Sequence, residues 1–139
     1  MKAVYDNSLI LLYRILFILY AEARDLLPLR ESDLYRDDYS LDSIKRSVAR
    51  DLNSGKLLLP SSARIAAQLR DLFRIIDGGS PLLKVATFNG GLFDANRHPL
   101  LETYSVGDEQ LQQALDLLVR VDGQFVDYRD LAERQLGTI

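Results

Sequence analysis

Cysteine is absent from the 139 residues, which excludes disulfides, thiolate metal sites and a cysteine nucleophile. A single histidine, His98, gives a histidine-based zinc site or a Ser-His-Asp triad too little to build from. There is no basic excess either: the formal charge of −3 argues against a generic nucleic-acid binder. Lys2 is the only basic residue ahead of the first apolar run, and no small-residue cleavage site follows, so no signal peptide is expected. The Asn89-Gly90-Gly91 turn lacks the lysine and Ser/Thr that a P-loop requires, and GxGxxG does not occur. The adjacent carboxylates Asp37-Asp38 and Asp108-Glu109 point in different directions on a helix and are read as solvated or capping groups. No nucleophile–base pair emerges, so the residues themselves predict no catalysis.

What is present is an ordinary apolar content of 47%, enough for one domain with a real core. The chain is organised around 8–27, SLILLYRILFILYAEARDLL, apolar from Leu9 to Ala21 except at Arg14. A helix apolar nearly all round belongs inside a bundle or a membrane. This run reaches roughly 20 Å, short of a hydrocarbon core of about 30 Å, so a buried core helix is expected and no membrane span. Asn7, Arg14 and Asp25 fall on one narrow seam with Glu22 beside it, and Pro28 is the expected stop. Arg14 is predicted to be buried and paired, to a carboxylate or to helix-end carbonyls, because an unpaired charge there is prohibitive.

The segment 29–38 reads as a loop or short irregular helix. Leu41, Ile44, Val48 and Leu52 then recur at helical spacing, with Ser40 as N-cap and Asn53-Ser54-Gly55 as stop. After the apolar crossing Leu57-Leu58-Leu59-Pro60, Ser61 or Ser62 is expected to cap a helix with Ile65, Leu69, Leu72, Phe73 and Ile76 inward, ending at Gly78-Gly79. From 80 to 106 the helical period disappears, and an irregular loop or hairpin insert is expected, turning at Asn89-Gly90-Gly91. At least one of those glycines is expected at positive φ, with Phe88 and Phe93 anchoring the loop. A helix returns at Asp108 with Leu111, Leu115 and Leu118 inward and Gly123 as its end. Gln124 to Val126 reads as a short strand, and Asp127 as the cap of a last helix from Tyr128. The fold class is therefore mainly α: a small helical bundle around the central apolar helix, forming one domain over 1–139. Its apolar end, Leu136 to Ile139, suggests a piece of a larger polypeptide.

Charge is distributed unevenly. From Lys45 to Arg74 there are seven bases against Asp51 and Asp71, whereas from Asp94 onward acids outnumber bases nine to four. Lys45, Arg46, Arg50, Arg64, Arg70 and Arg74 form a possible DNA-phosphate face on two helices. An ordinary solvated face is the alternative.

Three ordered stretches carry a resemblance. Val4-Tyr5-Asp6-Asn7-Ser8 with the following apolar helix, Phe88-Asn89-Gly90-Gly91-Leu92-Phe93, and Val126-Asp127-Tyr128-Arg129-Asp130-Leu131 with Arg134, Leu136-Gly137 and Ile139 together resemble the helical connector region of type IIG restriction–modification enzymes. In that family one polypeptide joins an endonuclease to an adenine-N6 DNA methyltransferase. Ala132-Glu133 departs from the family's more usual Gly-Val, and the Tyr-Glu continuation into a longer helix is absent.

The resemblance implies a non-catalytic connector that positions nuclease and methyltransferase domains on DNA. The family's nuclease carboxylates and lysine lie upstream, and its S-adenosylmethionine loop and Asn-Pro-Pro-Tyr motif lie downstream. No position here matches them. S-adenosylmethionine and magnesium are thus expected only in the missing domains, with no cofactor, metal or catalytic residue in this chain. The implied partners are DNA and the flanking domains, and the implied location is cytoplasmic. A free-standing helical protein-interaction module is the alternative function.

Overall fold

The computed structural model describes residues 2–56, 58–59, 61–88, 90–99 and 106–129. They are mainly α. Helices α1 (Lys2–Ala23), α2 (Leu41–Asn53), α3 (Arg64–Gly78) and α4 (Asp108–Val119) pack together with a π-helix at Tyr35–Tyr39. A two-strand antiparallel hairpin follows, β1 (Arg120–Val121) and β2 (Gln124–Phe125). Among the described residues no helix is long and apolar enough to cross a membrane.

The apolar run of α1 enters the core through Ile15, Ile18, Leu19, Tyr20 and Ala21. The helix starts before Ser8 and stops at Ala23, so Pro28 is not what ends it. Asp25 takes φ 58°, the Leu26 N–H donates to the Ala21 carbonyl at 2.8 Å, and the Asp25 N–H donates to that of Glu22 at 3.3 Å. This is a Schellman stop with an aspartate in the position glycine usually fills. Asp25 thereby leaves the expected polar seam. Arg14 and Glu22 remain on the helix, both buried, and each serves a different neighbour.

The amphipathic reading of α2 and α3 holds. Leu41, Ile44 and Val48 on α2, and Ile65, Leu69, Leu72, Phe73 and Ile76 on α3, are all buried. The Ser40 Oγ accepts the Ser43 N–H at 3.0 Å, as an N-cap should. Neither Ser61 nor Ser62 caps α3. Its N-cap position is Ala63, and the cap is supplied from α4: Asp108 Oδ1 accepts the Ile65 N–H at 2.8 Å, while Ser62 Oγ donates to Asp108 Oδ2 at 2.6 Å. Leu57 and Pro60 lie outside the described residues. Between them Leu58 is half-buried, its N–H donating to Gln112 Oε1 at 3.4 Å.

At the end of α3, Gly79 has φ 73°, and a Cβ there would stand 2.8 Å from Thr87 Oγ1 and 2.9 Å from its backbone nitrogen. Glycine is needed at that turn for both conformation and space. The chain then forms one tight bridge, Ser80 to Val85, and a single 3₁₀ turn over Gly91–Phe93, not the hairpin expected around Asn89-Gly90-Gly91. Gly90 is extended at φ −80°, and neither it nor Gly91 has positive φ. Asn89 lies outside the described residues.

The anchoring aromatics are where the spacing placed them. Phe93 is buried, and its ring lies 5.6 Å from Phe17, 5.7 Å from Phe73 and 5.6 Å from Phe88. Arg14, 1% exposed, donates from Nε to the Leu92 carbonyl at 2.7 Å. Its guanidinium carbon sits 4.9 Å from the Phe73 ring centre and 5.6 Å from that of Phe93. The predicted burial and carbonyl pairing of Arg14 are both present.

The hairpin lies after α4, where Asp122 at φ 53° and Gly123 at φ 79° form the turn between β1 and β2. Two successive positive φ values match the twist of paired strands. Gly123 therefore belongs to the hairpin, and α4 ends earlier, at Val119. The helix expected from Tyr128 lies outside the described residues beyond Arg129, as do Asp130, Leu131, Glu133 and Arg134.

Candidate phosphate-binding groove

Helical spacing puts Arg46, Arg50 and Asn53 on one stripe of α2. The hairpin brings two more residues to this stripe, since Arg120 and Phe125 are direct cross-strand partners and share a side of the ribbon. A shallow groove of about 570 Å³ results, bordered by Arg46, Arg50, Asn53, Arg120, Gly123 and Phe125. Among the described residues no carboxylate lines it, although Asp42 and Asp116 pair with two of its arginines.

The guanidinium groups are held to different degrees. Arg120 is fixed at Nε by Asp116 Oδ1 at 2.6 Å and reaches across to α2, Nη1 donating to Asn53 Oδ1 at 2.9 Å. Arg46 donates from Nε to Asp42 Oδ2 at 2.8 Å. That hydrogen bond, with the Asp42 charge, raises the guanidinium's pKa and keeps it ionised. Arg46 and Lys45 also lie over the Phe125 ring, 5.4 Å and 4.9 Å from its centre. Arg50 is exposed, and no carboxylate pairs with it among the described residues.

Six basic residues were expected on one face, and the groove gathers only part of them. Arg46 and Arg50 line it, while Lys45 does not, lying half-buried over the Phe125 ring and 3.5 Å from Asp42. Arg64 and Arg74 are exposed on α3 and Arg70 is half-buried there, on a different helix from the groove. Arg120 was not anticipated. The signal for it was Asp122-Gly123, a hairpin dipeptide that folds the chain back over α2.

A second cavity, of about 250 Å³, adjoins the first, and Phe125 lines both. Its deepest polar group is Glu22, whose Oε2 accepts the Tyr35 hydroxyl at 2.7 Å and the Leu41 N–H at 2.8 Å, while Oε1 accepts the Asp42 N–H at 2.8 Å. Burial pushes this carboxyl up to about 7, against the lowering effect of those three donors. Burial and the adjacent carboxylate push the Tyr35 hydroxyl up too. Glu22 thus ties α1, the π-helix and the first turn of α2 together.

Asp108 behaves oppositely. Burial raises its pKa, but the hydrogen bonds from Ser62, Ile65 and Arg64 together with the Arg64 charge outweigh that, and the net direction is down. The half-buried His98 is pushed below its usual value by burial and by the Arg14 charge. Among the described residues no group of three His, Asp or Glu side chains is placed to hold a metal ion. No family model, curated protein or solved structure matches this chain.

Proposed function

We propose that this chain is a non-catalytic helical scaffold of a DNA-modifying enzyme, with the groove between α2 and the hairpin contacting DNA phosphates. The observation that carries the reading is the gathering of Arg46, Arg50 and Arg120 in one groove, where Arg50 has no carboxylate pair among the described residues, on a chain of net charge −3. A local basic surface on an acidic protein directs an anion to one place. The type IIG resemblance supports the DNA part of the proposal and adds the flanking nuclease and methyltransferase domains as partners. Phosphate contacts of this kind position a protein without reading sequence, which suits a connector. S-adenosylmethionine and magnesium belong to the absent domains in this reading.

Fluorescence anisotropy with short labelled DNA at low salt tests it. Binding is expected to weaken steeply as salt rises, because each neutralised phosphate releases counterions. Arg50→Glu is expected to abolish most of it, since among the described residues Arg50 makes no carboxylate pair whose loss would unsettle the fold. Absence of salt-sensitive binding to any DNA, or an unaffected Arg50→Glu variant, would overturn the reading. Calorimetry with S-adenosylmethionine is expected to give no heat of binding, and specific binding would count against a connector.

A further inference from the structure

Phosphate positioning alone leaves one feature of the groove without a purpose. Phe125 is a large aromatic, 39% exposed, at the rim of a groove that also presents Arg46, Arg50, Arg120, Asn53 and the apolar Ala49. It occupies a strand only two residues long, directly opposite Arg120. The hairpin turn beside it is open, since a Cβ on Gly123 would meet nothing within 4 Å. Cations already lie over the ring, Arg46 among them, and a guanidinium plane and a nucleobase are alternative partners for an aromatic face.

A duplex hides the faces of its bases in its own stack, so an aromatic beside a row of arginines gains little from one. An unpaired strand offers both its phosphates and its base faces. We infer that the groove takes single-stranded nucleic acid, with phosphates against Arg50, Arg46 and Arg120 and one base stacked at the Phe125 ring. This rests on the phosphate-contact reading above and narrows it to a substrate class. Basic grooves with stacking aromatics bind strands with little sequence preference. Phe125 is the one aromatic in the groove's lining among the described residues, so the groove offers a single stacking position.

The experiment compares a short labelled oligothymidylate with a duplex of equal length by anisotropy, using the whole chain. The single strand is expected to bind about tenfold tighter. Phe125→Leu keeps apolar bulk over α2 and removes the aromatic face. It is expected to lose about tenfold on the single strand, within the range of base–aromatic stacking, with a clearly smaller loss on the duplex and an unchanged circular dichroism spectrum. Arg50→Glu is expected to weaken both. Equal affinity for the two forms, or a Phe125→Leu variant that binds the single strand as the parent does, overturns the stacking inference and leaves phosphate contact standing. Failure to bind either form overturns both.

Discussion

Arg14 Nε and the Leu92 carbonyl, 78 positions apart in sequence, meet at 2.7 Å inside the bundle. The pairing fastens the segment 90–98 to the middle of α1. The partner is main chain and cannot be mutated away, so the test lies in the arginine. Arg14→Leu removes a charged donor and leaves the carbonyl behind, and is expected to cost about 1.5–3 kcal/mol. Arg14→Lys is expected to cost more, because a compact, strongly hydrated ammonium cannot replace a planar group lying against Phe73 and Phe93. Urea titrations of the two variants check the order. A lysine variant as stable as the parent would show that charge, not planarity, holds the site.

The two glycines of that loop are expected to respond differently to alanine. At Gly90 a Cβ would stand 2.8 Å from the Phe88 ring, which is itself packed 5.0 Å from Phe17. Gly90→Ala therefore must displace a half-buried aromatic packed against the core, at a cost of about 1–3 kcal/mol. At Gly91 the new atom meets the far end of Arg97, an exposed side chain that can swing away. Gly91→Ala is expected to fall within about 0.5 kcal/mol of the parent. Thermal melts showing equal losses would contradict this account.

Glu22 predicts an unusual pH dependence. Its folded pKa, raised from 4.5 to about 7, means that the folded state binds its proton more tightly than the unfolded state does. Stability from this group is fully present below about 4.5 and is lost as pH rises toward about 7. The full span is on the order of 3 kcal/mol. Denaturant unfolding at several pH values is expected to show stability falling across that window, and Glu22→Gln is expected to flatten the fall. Parallel curves for parent and variant would show that Glu22 does not titrate there.

Asp108 has the reverse sign. Its folded pKa lies below the usual 3.8, so its contribution is present above that value and lost as pH falls through the folded one. Asp108→Ala is expected to cost about 1–2 kcal/mol at neutral pH, the loss of a helix cap. Asp108→Asn keeps one acceptor and is expected to lose less. Equal losses in the two variants would show that the single acceptor retained by asparagine contributes nothing.

Local periodicity made most of the fold legible. The repeats of Leu41, Ile44 and Val48, and of Ile65, Leu69, Leu72, Phe73 and Ile76, are short-range patterns, and each buried face follows from them. The Ser40 cap lies next to the helix it serves, and was equally visible. What escaped is non-local or permissive. Nothing near Ser62 announces that Asp108 will cap α3, and an aspartate at left-handed φ, as at Asp25, has no signature of its own. Asn89-Gly90 and Asp122-Gly123 are equivalent turn dipeptides in sequence. Only the second sits between residues free to pair as strands, since Phe88 and Phe93 are drawn into the aromatic cluster instead. Part of the basic groove was legible because Arg46 and Arg50 share a helical stripe. Arg120 was not, because it arrives through the hairpin.

The two carboxylate caps also set an order in which the chain can consolidate as it leaves the ribosome. Glu22 precedes the helix it caps, so α2 meets a ready acceptor as soon as Leu41 and Asp42 emerge. Asp108 follows its helix by 43 positions from Ile65, and translation at about 5–20 residues per second leaves α3 uncapped for several seconds. During that interval the Ile65 N–H lacks the acceptor it has in the folded chain, and the first turn of α3 is expected to fray. Nascent chains arrested before Asp108 should therefore be cut by protease near Ser62 and spared near Ser40.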